Sequence, residues 1–296
     1  MAYSWNIFGH QKQLDLLGRS LALNKLSHAY IFSGPEGVGK KTTALRLAQI
    51  LVCSVNTGCG DCPQCKSFAQ LTNPDVLLVE SPETIKIEEI RDLIRKLSLK
   101  PYMAKRKVAI IDHAEDMTSE AANSLLKVME EPKSETTIIL ITANPNRLLP
   151  TIRSRAQKII FGSVIFEEYS SLLPNDLSAL QLEAVRMLSL GRPGVALKIA
   201  KDPSSLENVT KLDKNFSEFT SDDLSAKLLL AASLAESETS ELKDLLLFFL
   251  TKLEQQLLSK KDDTAALRLE KVAAAISKIE SNLNSKLVMT DLMLQT

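Results

Sequence analysis

A short apolar run, Ala29-Tyr30-Ile31-Phe32, gives way to Gly34-Pro35-Glu36-Gly37-Val38-Gly39, and from Lys40 apolar residues recur at Ala44, Leu45, Leu47, Ala48 and Leu51. No other stretch limits the possible folds as sharply. The run has the length of a buried strand, the loop holds too much glycine for either regular element, and the last spacing is helical. Strand, glycine loop and helix, with Gly34 and Gly39-Lys40 at Walker A spacing, make a P-loop. Its glycines let backbone N–H groups converge on phosphate oxygens, and the helix N-terminus adds partial positive charge. Lys40 would reach toward the β- and γ-phosphates. The pattern next asks for Ser or Thr, to place a hydroxyl on Mg²⁺, and this chain has Lys41.

About seventy residues further on, Val108-Ala109-Ile110-Ile111-Asp112 is an apolar strand that ends in aspartate. That is the Walker B form, in which a buried strand delivers one carboxylate to the edge where Mg²⁺ would sit. Further strands are expected at 73–80, 136–142 and 158–161, with helices at 85–97 and 118–131, the second stopped by Pro132. Alternating strands and helices imply an α/β domain with a parallel sheet. Ahead of it, residues 5–27 form one or two short helices, and residues 7–11 either pack as part of that entry or lie near a nucleotide base. Asn144 is either a strand-end turn residue or a γ-phosphate sensor. Beyond Phe161 only helices are expected, at 164–173, 177–190 and 195–200 and then as a bundle from Phe216. Gly191-Arg192-Pro193-Gly194 reads as a loop and residues 202–214 as a linker.

All four cysteines, Cys53, Cys59, Cys62 and Cys65, fall within thirteen residues. Four thiolates can close a tetrahedral Zn²⁺ site, and Gly58, Gly60 and Pro63 allow the turns between them. With no open position for water, such a site is structural. Two disulfides are disfavoured in a reducing cytosol, and a thioredoxin-like pair lacks its fold context.

Lys plus Arg and Asp plus Glu number 36 each, so the net charge is zero. A chain that binds DNA alone through its phosphates is usually more basic, so a nucleic-acid role would be local or shared. No apolar run reaches the ~20 residues that span a bilayer, and a cytoplasmic location is expected.

Five segments occur in order: HAYIFSGPEGVGKKT, the cysteine insert after the P-loop helix, VAIIDHAEDM, EAANSLLKVMEEP and LLPTIRSRAQ. Together they resemble the bacterial clamp-loader ATPase group of DNA polymerase III, over roughly residues 5–200. The resemblance implies an AAA+ P-loop domain over residues 1–162 with the zinc module at 53–65, a small helical lid over 163–205 and an all-α collar domain over 206–296. It implies a five-subunit ring with delta and tau/gamma subunits that opens the sliding clamp and loads it onto primer-template DNA, with no membrane partner. By the same resemblance Gly34, Gly37, Gly39, Lys40 and Thr42 line the phosphate loop and Asp112 is the Walker B acid. Cys53, Cys59, Cys62 and Cys65 match the zinc ligands, although the first gap of five residues is short. Ser154-Arg155-Ala156 matches a Ser-Arg-Cys motif whose arginine reaches, as a finger in trans, the nucleotide of a neighbouring subunit.

Many AAA+ ATPases follow the Walker B aspartate with a glutamate, where this chain has His113, with Glu115 and Asp116 beyond. ATP with Mg²⁺ is the ligand the loop would take, but Lys41 and His113 point to weak or absent hydrolysis. The alternative is an active motor subunit of the same loader, with Thr42 and Glu115 as substitutes. Arg192 lies near the position of a second sensor arginine, and Lys105, Arg106 and Lys107 are candidates to face DNA.

Overall fold

The computed structural model describes residues 3, 5–81, 83–131, 135–234, 239–260, 263–280 and 283–295. Contacts group the chain into two compact units, Met1–Ser170 with Gly191–Val195, and Ser171–Leu190 with Ala196–Thr296.

The first unit holds strands β1 (Ala29–Ser33), β2 (Val76–Val79), β3 (Lys107–Ile111), β4 (Thr136–Thr142) and β5 (Gln157–Ile160). Its helices are α1 (Gln11–Ala22), α2 (Lys40–Val52), α3 (Pro63–Ala69), α4 (Ile87–Ser98), α5 (Ser119–Glu130), α6 (Pro150–Arg155) and α7 (Phe166–Tyr169). The strands form one parallel sheet in the order β2-β3-β4-β1-β5, so β4 lies between the P-loop strand and the strand that ends at Asp112.

Side chains alternate across a strand, and here both faces are covered. Tyr30, Phe32, Val108, Ile110, Ile139 and Ile141 point to one face, where Leu17 of α1 and Leu47 and Ala48 of α2 pack on them. Ala29, Ile31, Ala109, Ile111, Ile138 and Leu140 point to the other, against Ile90 and Leu93 of α4, Leu125 of α5 and Ile152 of α6. Burial on both faces is why these strands read as continuous apolar runs rather than alternating ones.

Local signals set the helix starts. The Thr118 hydroxyl accepts from Ala121 N at 3.2 Å to cap α5, and the Glu89 carboxylate accepts from Lys86 N at 2.8 Å to open α4. Ile85, expected on that helix, instead bridges to Met117 beside the sheet and is fully buried. Pro132, the expected stop of α5, lies outside the described residues.

The second unit is helical: α8 (Ala179–Ser189), most of α9 (Pro193–Lys201), α10 (Pro203–Thr220), α11 (Leu224–Leu234), α12 (Thr239–Lys260), α13 (Asp263–Glu280) and α14 (Ser285–Gln295). Phe216, Phe219, Phe248 and Phe249 centre its core, with the Phe219 and Phe249 rings stacked at 4.7 Å. The stretch 202–214, expected as a linker, is corrected: from Pro203 onward it is the body of α10. Proline at the first helical position only removes an N–H that has no partner there, so Pro203 begins a helix where its composition suggested a break. No described helix is long and apolar enough to cross a membrane.

Candidate phosphate site and cysteine cluster

The register of the sheet builds the site. Ser33 pairs with Thr142, Leu140 with Ile111, and Ile111 with Val79. The C-terminal ends of four neighbouring strands therefore meet at one edge, the ligand edge of open α/β sheets. Gly34, Glu80 and Asp112 each begin the next turn from that edge.

Gly34 enters the loop with φ of +150°, and a Cβ there would lie 2.0 Å from the Phe161 carbonyl oxygen. Only glycine fits. Gly37 has φ of +77°, and a Cβ on it would come 2.7 Å from a Val195 methyl. Several loop carbonyls are engaged. Lys40 Nζ donates to the Gly34 and Pro35 oxygens at 2.5 and 2.8 Å. The ring N–H of His10 donates from Nε2 to Val38 O at 2.7 Å, which sets its tautomer, and Gly194 N donates to Gly37 O at 2.8 Å. Burial lowers the pKa of Lys40, and the nearby charges of Glu115, Glu36 and Asp112 oppose that shift.

Two of these contacts were only partly visible in sequence. Residues 7–11 do approach the phosphate loop, through His10, whose ring also meets Phe161 edge-on at 4.9 Å between centroids. The expectation of a loop at 191–194 needs correction, because Pro193 and Gly194 open α9. They do so against the phosphate loop, and the Cβ of Arg192 lies 3.7 Å from where one on Gly37 would sit.

Lys41 decides the character of the site. Its ammonium forms ion pairs with Glu80 Oε2 and with Asp112 Oδ2, the second at 3.2 Å. The two carboxylates are neighbours because β2 and β3 end in register, and a hydrogen bond from Asp112 N to Val79 O at 2.9 Å holds them there. Burial works to lower the pKa of Lys41, but its hydrogen bonds to Glu80 and Asp112 prevail and raise it. The other oxygen of Asp112 accepts from His113 N at 3.1 Å. Mg²⁺ takes its oxygens at ~2.0–2.1 Å in near-octahedral geometry. Here a cationic side chain stands where the pattern has a hydroxyl ligand, and it already rests on the aspartate. This donor set does not fit the ion. Thr42 is exposed on the first turn of α2, and the Thr43 hydroxyl turns back to Gly39 O at 2.9 Å.

Glu115, considered as a replacement base, is committed elsewhere. Its Oε1 accepts from Ala143 N and Asn144 N at 2.7 and 3.2 Å, and so clasps the end of β4 to the turn after β3. Burial alone would raise its pKa, and hydrogen bonds from its own amide, Ala143 N, the Thr142 hydroxyl and Asn144 N lower it on balance. The Asn144 side chain accepts from Asn146 N at 3.2 Å, as a turn residue does.

Arg155 ends α6, partly exposed. Its Nη2 pairs with Glu130 Oε1 at 2.9 Å and its Nη1 donates to Thr151 O at 3.1 Å. Of the three basic residues offered as candidates to face DNA, only Lys105 is exposed. Arg106 donates to Thr137 Oγ1 at 3.1 Å, and Lys107 is buried with Nζ on Lys96 O at 2.6 Å.

The four cysteines do come together. Cys53 follows α2, Cys62 caps α3, and Cys65 lies in the first turn of α3. Their sulfurs all lie within 4.8 Å of one another, with Cys53 to Cys59 at 3.6 Å and Cys62 to Cys53 at 3.9 Å. Tetrahedral Zn–S bonds of ~2.3 Å put sulfurs roughly 3.8 Å apart, so the cluster can hold a metal ion. Cys53 and Cys65 are buried and Cys59 is exposed. Burial opposes ionisation of Cys53, yet amides of Cys59, Thr57 and Val55 bring it down to about 5.

Sequence reading missed how the cluster is fastened. Asn73 Nδ2 donates to Gln64 O and Ser67 Oγ, both at 3.0 Å, and so ties α3 to the start of β2. Fully buried Asp75 accepts from Tyr102 N, Met103 N and Ala104 N at 2.7–2.8 Å.

A glycine phosphate loop, a strand-end aspartate beside it and a parallel sheet with β4 inserted between their strands define a P-loop domain. The family described as DNA polymerase III, delta subunit, matches residues 9–164, and the chain belongs to it. It is 40% identical to DNA polymerase III subunit delta' of Bacillus subtilis over 166 residues, covering 54% of this chain and 50% of that one. It is 36% identical to the Pseudomonas aeruginosa subunit delta' over 183 residues, covering 58% and 56%. The chain thus spans about half the length of these curated relatives. Among solved structures, it resembles a DNA polymerase III gamma subunit-related protein of Thermotoga maritima at 21% identity. The TM-score is 0.46, over 94% of this chain and 97% of that one.

Proposed function

We propose that this chain is a delta-prime-type clamp-loader subunit of DNA polymerase III. In the cytoplasm it would join delta and tau/gamma subunits in a five-membered ring, and help to open the sliding clamp and load it onto primer-template DNA. Residues 163–205 would serve as the lid and 206–296 as the collar. Zn²⁺ would fill the closed four-thiolate site and stabilise the 53–65 segment, without chemistry of its own.

One observation carries the reading: Lys41 sits on the aspartate that an ATPase needs for its metal. A subunit whose own site is so arranged contributes to hydrolysis through what it offers a neighbour. Arg155 is suited to that. Its pair with Glu130 is partly exposed, and such pairs contribute only ~0–1 kcal/mol. The guanidinium can therefore exchange Glu130 for phosphate oxygens of a nucleotide across a subunit interface. There it would stabilise the charge of phosphoryl transfer, an effect of roughly 10³–10⁵ in rate.

Reconstitution tests this. Replacing Arg155 with alanine should lower the ATPase of the assembled loader about tenfold or more, while the subunit still folds and enters the complex. An unchanged rate would remove the finger from the proposal. Brisk ATP hydrolysis by the isolated chain, abolished by Lys40→Ala, would favour the motor reading instead.

A further inference from the structure

Glu80 and Asp112 end adjacent parallel strands in register, so two carboxylates stand side by side at the mouth of the phosphate loop. Two neighbouring carboxylates repel, and the ordinary remedy at such an edge is a divalent cation. The chain supplies its own. Lys41 reaches both carboxylates from the first turn of α2, and the Asp112 side chain it covers is only 11% exposed. Lys40, one residue earlier, points into the loop and donates to Gly34 and Pro35 oxygens. The two lysines thus divide the work: one cation for the phosphates, one for the carboxylates.

We infer that Lys41 is the resident cation of this site and that the P-loop is a metal-free phosphate cradle, one that takes a nucleoside triphosphate without a divalent ion. A divalent ion entering beside Asp112 would meet the Lys41 ammonium at close range. It would have to displace that ammonium before it could take the carboxylate. The phosphate loop keeps what anion binding needs: glycines at Gly34, Gly37 and Gly39, a helix N-terminus behind them, and Lys40, whose present acceptors are loop carbonyls that phosphate oxygens can replace. The inference rests on this geometry and not on membership of a ring, so it is tested on the chain alone.

The probe is a fluorescent ATP analogue, titrated into the full-length, zinc-loaded chain in buffer freed of other divalent ions beforehand and again in excess Mg²⁺. The expected result is saturable binding, lost in Lys40→Ala, with affinities in the two conditions within about twofold of each other. Lys41→Thr restores the hydroxyl and exposes the carboxylate pair, and its affinity should tighten about tenfold or more when Mg²⁺ is added. Adding Asp112→Asn to Lys41→Thr should erase that gain. Lys41→Arg keeps the charge and should stay indifferent to Mg²⁺, which serves as a second variant should the threonine form fail to fold. Binding by the unaltered chain that is about tenfold tighter with Mg²⁺ overturns the inference, as does the absence of binding in both conditions. A folded Lys41→Thr chain that gains nothing from Mg²⁺ also overturns the role given to Lys41.

Discussion

The two regions of this chain that sequence marks as metal sites are built on opposite principles. In the cysteine cluster, four sulfurs converge to within 4.8 Å of one another, close enough to hold a metal ion. At the phosphate loop, two carboxylates converge in the same way, but a lysine from the neighbouring helix already satisfies them. One site leaves its centre open to an ion, and the other is closed by a side chain. A motif therefore identifies a metal site only when the space between its ligands is left to the metal. Walker A and Walker B spacing survive here although their shared ion does not fit.

The largest effect should come from breaking the cysteine cluster. Cys65 is fully buried beneath the cluster. Cys65→Ser should abolish stoichiometric zinc, measured by elemental analysis, and cost about 3 kcal/mol or more, because structural zinc binding is itself folding energy. A chain that keeps full zinc and an unchanged melt would show that the cluster is not a metal site. Next in size is Asp75→Ala, which strands three backbone N–H groups around a fully buried position. At roughly 1–3 kcal/mol for each unpaired buried group, partly relieved by water, about 3 kcal/mol is expected in urea unfolding.

A smaller effect belongs to Glu115, whose folded pKa lies below its ordinary value of 4.5. A depressed carboxylate contributes stability that is fully present above the unfolded pKa and lost as pH falls through the folded value. Glu115→Gln should therefore lower stability at neutral pH by that contribution and flatten part of the stability loss below pH 4.5. The smallest effect on the subunit itself is predicted for Arg155→Ala, under about 1 kcal/mol by chemical denaturation, since only a surface pair is lost. A large destabilisation would make Arg155 a structural residue rather than a free finger.

What the sequence made legible was local. Strand β1, the glycine loop and α2 are contiguous, and so are the four cysteines, so short-range spacing was enough to find them. Asp112 was legible because a buried strand ending in aspartate has few other readings after a P-loop. The Lys41 substitution was visible, but its meaning was not. Glu80 lies 39 residues from Lys41, and only the β2–β3 register brings it beside Asp112. The same dependence on tertiary pairing hid Arg106 and Lys107, which look like surface charge in sequence yet bond to Thr137 and Lys96. Gly191-Arg192-Pro193-Gly194 has loop composition, and only packing against Gly37 explains why a helix begins there.

If Lys41 is the resident cation, it and not a divalent ion neutralises Asp112. The most direct test is Mn²⁺ binding to the full-length, zinc-loaded chain in the presence of ATP, followed by electron paramagnetic resonance. The expected result is the same bound Mn²⁺ for the unaltered chain and for Asp112→Asn, and an additional bound equivalent, removed by Asp112→Asn, only once Lys41 is replaced by threonine. A bound Mn²⁺ in the unaltered chain that disappears with Asp112→Asn would contradict it.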